Sequence, residues 1–244
     1  MGTQVNWSAL EKIPGWLAVE AAQIAQRIAS HPIPDGVLEF GVFKGKLLSL
    51  SAALFNGPVV GVDAMWNGIN NPLTGTDLES AIAQVLAAVK SVAPGAEPHL
   101  IVSDTMLITV ADISKLAPNG FGFISVDAGH DADPVCHDMN LAASLLAPGG
   151  VIFADDVFND RCPGVAEGTF RFLASDNRLK AFATGYNKTM FTDAASHSMW
   201  LGRAYEWAAN GEGAMYERTR AQIDANIASL WRPMLGNGEI VPFC

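Results

Sequence analysis

Acidic residues recur along the first two thirds of the chain where short apolar runs end: Glu39 in LEFGVFKGK, Asp63 in VVGVDA, Asp104 in HLIVSD, Asp127 in FISVDAGHDAD, and the adjacent Asp155 and Asp156 in VIFADD. The first of these stretches has the outline of a cofactor loop, and elimination narrows the cofactor. A phosphate-binding P-loop needs G-x-x-x-x-G-K followed by Ser or Thr, whose hydroxyl holds Mg²⁺. Gly41 to Gly45 is one residue short, and Leu47 stands where the hydroxyl belongs. A dinucleotide loop, G-x-G-x-x-G, lets backbone approach a pyrophosphate. Glu39 takes the first glycine position, where a carboxylate repels that group. The expected ligand therefore lacks phosphates and turns a cation toward Glu39. Asp63 lies roughly 20 residues beyond the loop, the offset at which an acid accepts both hydroxyls of a ribose.

Positioning these acids requires a particular framework. After a leading helix read in GWLAVEAAQIAQRIAS, ended near His31-Pro32, strands and helices alternate. VLEFGV, VVGVDA, HLIVSD, FGFISVDAG and VIFADD read as strands. KLLSLSAALF, DLESAIAQVLAAVKSV, a short segment near TMLITVADISKL, and HDMNLAASLLA with its closing turn PGG read as helices. Alternation of this kind implies right-handed crossovers and a parallel sheet covered on both faces. The fold class is thus α/β, a doubly wound, mostly parallel Rossmann-like sheet, and ligands of such sheets bind beyond the carboxyl ends of the strands. A helix is expected over FRFLASDNRL. LKAFATGYNKTMFT and SHSMWLGRA read as two strand-like runs able to pair antiparallel in a C-terminal hairpin. An amphipathic helical tail follows from YEWAAN onward. The expected layout is one domain over 1–244, with a helical extension at 1–35, a cofactor-binding core at 36–203 and a helical extension at 204–244. The aromatic tail reads either as a cover for the sheet or as a subunit contact in a homo-oligomer.

Composition narrows the partners. The 244 residues are 50% hydrophobic with a formal net charge of -10, so nucleic acid and anionic membrane surfaces are disfavoured by repulsion and small molecules are favoured. Three cysteines, Cys136, Cys162 and Cys244, form no C-x-x-C pair and suggest neither a disulfide framework nor a zinc knuckle. The N-terminal stretch lacks a signal-peptide pattern and no apolar run is long enough to span a bilayer, so a cytoplasmic protein is expected.

A ribose, no pyrophosphate and a cation facing Glu39 together point to S-adenosylmethionine, whose amino acid part carries an ammonium and whose sulfonium adds a charge. The expected cofactor-binding set is Glu39, Gly41, Gly45, Asp63, Ala64, Ser103, Asp104 and Asp127, with Ser103 or Asp104 as partner of the adenine amino group. In the combination LEFGVFKG, VVGVDAMWNG, FISVDAGHDAD, LLAPGGVIFADDV and PGVAEG, spanning about Val37 to Gly202, the chain resembles class I S-adenosylmethionine-dependent methyltransferases. Within them it is most similar to metal-dependent O-methyltransferases of sugars and natural products. Ala128, where that family often carries glycine, is a departure. The resemblance implies that Asp127, Asp155 and Asp156 hold Mg²⁺ or another divalent cation, and that His130, at D-x-x-H spacing, acts with Asp127 as the catalytic base that takes a hydroxyl proton. The chemistry is consistent: two adjacent aspartates repel unless a cation or a proton intervenes, and Mg²⁺ favours carboxylate oxygens with open positions.

Each acid alone also reads as a helix cap or a solvated charge; Asp104 is the weakest member. His130 alternatively orients Asp127 or caps a helix. His137, Cys136 and Cys162 read as structural. Trp66 reads as an adenine platform or as core. Arg161, Asn187 and Lys188 stay unassigned near the rim. The rival functions are metal-free methylation of nitrogen or carbon and a non-catalytic cofactor-binding protein. A nucleotide-dependent oxidoreductase is more remote, opposed by Glu39.

Overall fold

In the computed structural model, which describes residues 5–66, 71–176 and 178–244, the chain opens with two helices, α1 (Trp7–Lys12) and α2 (Val19–Ala29). Strands and helices then alternate: β1 (Val37–Phe40), α3 (Lys46–Leu54), β2 (Val59–Asp63), α4 (Gly75–Val92) and β3 (His99–Val102). A single 3-10 turn (Thr105–Leu107) and α5 (Val110–Ser114) lead to β4 (Phe121–Val126), α6 (Ala132–Leu145), β5 (Leu146–Asp155) and α7 (Pro163–Ser175). The chain continues with β6 (Leu179–Gly185), β7 (Lys188–Asp193), α8 (His197–Asn210) and α9 (Ala214–Ala228). Three short strands follow, β8 (Met234–Leu235), β9 (Gly238–Glu239) and β10 (Val241–Pro242).

The main sheet has the order β10-β6-β7-β5-β4-β1-β2-β3. Strands β1 to β5 are mutually parallel where they pair, β7 is antiparallel to both β5 and β6, and β10 runs parallel to β6. Successive side chains of a strand point to opposite faces. Phe123 and Phe153 accordingly join the core under α2, α3, α4 and α8, while Ile124 and Ile152 join the core under α5, α6 and α7. The parallel order reverses at β1 and β4, so their carboxyl ends open the crevice where an α/β sheet receives its ligand. Among the described residues no helix is long and apolar enough to cross a membrane.

Several boundaries differ from the sequence reading, each for a local reason. The leading helix begins at Val19: Gly15 has φ +142, and Trp16, Leu17 and Ala18 run as a non-helical segment. A short α1, capped by the Asn6 side chain accepting from the Ala9 N–H, precedes it. Helix α6 starts at Ala132, ahead of His137, because Pro134 falls in the first turn, where its missing N–H costs nothing. The PGG segment lies inside β5, where the register with β4 shifts between Phe121 and Phe123. Helix α7 starts earlier, with Pro163 in its first turn.

The largest difference concerns SHSMWLGRA, which forms the start of α8 instead of a strand. Its buried residues His197, Trp200, Ala204, Trp207 and Ala208 follow helical spacing, a period that is lost when the segment is cut at Ala204. The antiparallel hairpin is formed within LKAFATGYNKTMFT itself, as β6 and β7 around Tyr186 and Asn187, both at positive φ. The boundary expected at 203 falls inside α8, and the stretch 204–244 contains strands as well as helix, β10 completing an edge of the main sheet. Asn67 and Gly68 of the resembling stretch VVGVDAMWNG, and Asn177 of FRFLASDNRL, lie outside the described residues.

Candidate functional site

The loop after β1 is shaped by the fold itself. Gly41 has φ +84, and a Cβ there would stand 2.0 Å from the Asp127 carbonyl oxygen, so only glycine lets the ends of β1 and β4 meet. Gly45, at φ +78, precedes the first residue of α3 and packs against Val85 of α4. Asp63, at the end of β2, accepts from the Phe43 N–H (2.7 Å) and the Met65 N–H (2.6 Å), tying the glycine loop to the second strand. Ala64 is half-buried beside it. The Ser103 N–H donates to the Asp63 carbonyl and its hydroxyl to the Asp104 carbonyl, while the Asp104 carboxylate caps the 3-10 turn through the Met106 N–H. Trp66 is 45% exposed, which removes it from the core.

Glu39 is buried at 3% exposure, and its Oε2 has no hydrogen-bond partner among the described residues. Burial, reinforced by the nearby Asp127, pushes its carboxyl well above the usual range. A buried acceptor without a donor costs free energy that a ligand ammonium relieves, so Glu39 suits the cationic end of S-adenosylmethionine.

Beside it, the ends of β4 and β5 bring Asp127, Asp155 and Asp156 together, with ligand oxygens all within 4.8 Å of one another. That spread is compatible with oxygens around one octahedral ion at about 2.1 Å. Desolvation of its carboxyl, opposed by Lys188 and reinforced by Asp155, holds Asp127 well above the usual range. Burial raises Asp156, but hydrogen bonds from Asn159, Asn187 and His130 outweigh it and leave the carboxyl below its ordinary value. Asp156 itself has φ +59, a turn conformation that puts its side chain beside that of Asp155.

His130 pairs through Nε2 with Asp156 Oδ2 at 3.0 Å, and not with Asp127. The ring therefore adjoins the acids at the end of β5. His137 Nε2 meets the Thr105 carbonyl at 3.0 Å within the α6 packing. Cys136 and Cys162 are free thiols, as is Cys244. Cys162, read as structural, lies within ligand reach of His130 and Asp156. Burial, followed by the charge of Asp156, pushes its thiol up, which leaves it a poor nucleophile. Ala128, the departure from the resembling family, is half-buried against the α6 face of the core and does not need positive φ.

Two residues left unassigned prove central. Lys188, 4% exposed, places its ammonium 2.7 Å from Asp155 Oδ2 and 3.9 Å from Asp127 Oδ2. The Asn187 amide donates to Asp155 Oδ1 (2.9 Å) and Asp156 Oδ1 (2.5 Å). Neither pairing follows from spacing along the chain; the available signal was the GYNK turn between two apolar runs, which marks a hairpin tip. Arg161 donates its N–H to Asn159 Oδ1 in an exposed turn.

Next to this cluster a groove of about 430 Å³ is lined by Trp16, Leu17, Ala18, Tyr186, Asn187 and Lys188. The Trp16 indole, 92% exposed, stacks on Phe43 of the glycine loop (centroids 6.0 Å, planes 19° apart). The groove lies at the β5 and β7 side of the acids, opposite the side of Asp63 and Ser103 at β2 and β3.

Residues 38–157 match the family model of a methyltransferase domain. No curated protein matches the chain by sequence. Solved structures with a similar fold include the O-methyltransferase from Bacillus cereus in complex with SAH (TM-score 0.52, 19% identity, 75% of this chain and 89% of that one). Others are CalS11, a TDP-rhamnose 3'-O-methyltransferase of calicheamicin biosynthesis (0.52, 15%, 77% and 86%), and TomG from Streptomyces achromogenes, an O-methyltransferase of tomaymycin synthesis in complex with SAM (0.50, 19%, 75% and 86%). At these identities the likeness is one of fold. The domain match runs from Leu38 in β1 through the end of β5 and takes in the glycine loop and the acids, so this part of the chain is similar to a methyltransferase domain.

Proposed function

We propose that the enzyme transfers a methyl group to a hydroxyl of a small molecule, a sugar or another natural product, with a divalent ion held by Asp127, Asp155 and Asp156. The observation that carries this reading is the meeting of three carboxylates at the ends of β4 and β5, beside the unpartnered carboxylate of Glu39. Glu39 would receive the ammonium of the cofactor, Gly41 and Gly45 would hold the loop around it, Asp63 and Ala64 would flank the ribose, and Ser103 and Asp104 the adenine. S-adenosylmethionine supplies a methyl group on a positively charged sulfur. A divalent ion at the aspartates supplies a Lewis acid near the acceptor oxygen.

The protein's own residues orient the acceptor and move its proton. The groove between Trp16 and Tyr186 ends on Asp155 and Lys188, so a ring lying on Trp16 would present a substituent to the acids. The pairing of His130 with Asp156 suits a tautomer with the proton on Nε2, which leaves a lone pair on Nδ1 for the acceptor proton. The names of CalS11 and TomG support a sugar or natural-product acceptor by fold likeness. The reading takes 1–244 as one domain, its free thiols in keeping with a cytoplasmic setting, and keeps nucleic acid outside its partners on the ground of net charge.

The test is calorimetric titration of S-adenosylmethionine and its demethylated product, with and without Mg²⁺, into the wild type and Asp155→Ala. Cofactor binding by both proteins, with Mg²⁺ binding lost in the variant, supports the reading; absence of cofactor binding overturns it. A second reading, metal-free methyl transfer, is favoured by the Lys188 ammonium beside Asp155, and it predicts cofactor binding with no Mg²⁺ site.

A further inference from the structure

We propose that Lys188 is a tethered counter-ion that competes with the divalent ion for Asp155 and Asp127, so that metal enters only as this ammonium leaves. The inference rests on the metal-assisted reading of the same acids and adds how their occupancy is controlled.

Lys188 and Asp155 are directly opposed partners in the antiparallel pairing of β5 and β7, which brings their side chains together by register. The ammonium is 2.7 Å from Asp155 Oδ2 and 3.9 Å from Asp127 Oδ2, in the space between two of the three carboxylates. A divalent ion bound to the same oxygens would stand within a few ångströms of Nζ, and like charges at that separation repel strongly where water is scarce. The hairpin tip reinforces the arrangement: the Asn187 amide spans Asp155 and Asp156, and the Asn187 carbonyl accepts from the Asp156 N–H. The three acids are thus met by the protein's own donors from the β6–β7 turn on one side and by His130 on the other. A displaced ammonium also has somewhere to go, because Lys188 lines the groove of about 430 Å³ beside Tyr186 and Trp16. Four rotatable bonds let its stem swing there without backbone movement. Metal loading and acceptor binding would then share one residue.

The experiment is titration of Mn²⁺ alone, at one fixed pH, into wild type, Lys188→Met, Lys188→Gln, Lys188→Arg and Asp155→Ala, with thermal melting in the absence and presence of Mn²⁺. Loss of the ammonium should tighten Mn²⁺ at least tenfold in the Met or Gln variant, lower the metal-free melting temperature, and restore it on adding Mn²⁺. Lys188→Arg, which keeps the charge, should stay close to wild type. Equal or weaker Mn²⁺ binding by a folded Met or Gln variant, with wild type binding normally, overturns the proposal and leaves the metal-assisted reading intact. Binding by the variants but not by wild type upholds the proposal and removes the metal from the native reaction. Failure of wild type and all variants to bind overturns both.

Discussion

Single carboxylates in this site carry distinct electrostatic loads, and substitution should separate them. Glu39 is buried with an unpartnered oxygen, and burial already pushes its carboxyl up. Glu39→Gln should therefore raise the melting temperature of the cofactor-free protein while weakening S-adenosylmethionine roughly 10- to 100-fold, the worth of one charge-assisted hydrogen bond. Differential scanning calorimetry and titration read the two effects in one preparation; loss of stability with unchanged affinity would remove Glu39 from the cofactor site. His130 is half exposed and hydrogen-bonds through its ring to Asp156. For His130→Gln the expected result is a fall in kcat of about 10²- to 10⁴-fold with cofactor affinity retained, as for loss of a general base. A kcat near wild type in steady-state assays would return the role to another group.

At the scale of elements, the packing of α6 against the 3-10 turn after β3 sets a pH dependence remote from the acceptor groove. Asp138, fully buried in α6, accepts from the Thr105 hydroxyl at 3.1 Å and leaves its other oxygen without a partner among the described residues. Burial pushes its pKa up to about 7 from an ordinary value of 3.8. The folded state thus holds a proton that the unfolded chain releases, so the stabilising contribution is full below about 3.8, declines as pH rises, and is gone above about 7. Asparagine mimics the protonated form. Relative to wild type, Asp138→Asn should gain on the order of 2–3 kcal/mol in urea denaturation between pH 5 and pH 8; a gap independent of pH contradicts the burial argument. The segment before α2 makes a second element-level prediction. Trp16 stacks on Phe43, and Lys46 Nζ donates to the Gly15 carbonyl at 3.4 Å, which fixes this stretch over the glycine loop. Trp16→Ala should raise KM for a ring-bearing acceptor about tenfold or more, with cofactor affinity held within about twofold, since one stacking face is worth roughly 1–3 kcal/mol.

For the molecule as a whole, the first part of the tail covers the sheet, one of the two uses that its composition allowed. Trp200, Trp207 and Tyr216 are buried in the core beside Phe182 and Phe243, so α8 and α9 cover the sheet. Further on, Ile227, Leu230, Trp231 and Met234 are all more than half exposed. Apolar residues gathered on a surface mark contacts with other chains, and the reading of a homo-oligomer predicts a sedimentation mass of a multiple of 25.8 kDa. The pair Leu230→Asp with Trp231→Asp should return it to 25.8 kDa while leaving far-UV circular dichroism unchanged. A wild-type protein that sediments as a monomer at micromolar concentration assigns those side chains to another use.

The sequence alone determined the alternation of strands and helices, the loop that excludes phosphate, and the set of acids at the strand ends, because period and local composition are properties of neighbouring residues. It determined the sheet's parallel character for the same reason. Tertiary structure decided which donors meet those acids. Lys188 reaches Asp155 from 33 residues away through a strand register, and Cys162 joins His130 through the return of the chain after β5. Gly41 is demanded by the Asp127 carbonyl, a contact across 86 positions that no motif around Gly41 announces. The helix α8 was hidden when its period was divided at Ala204, and its burial against β6 shows the full repeat. Charge balance at the centre of the site is a sum over elements distant in the chain, and only their packing fixes which charges face one another.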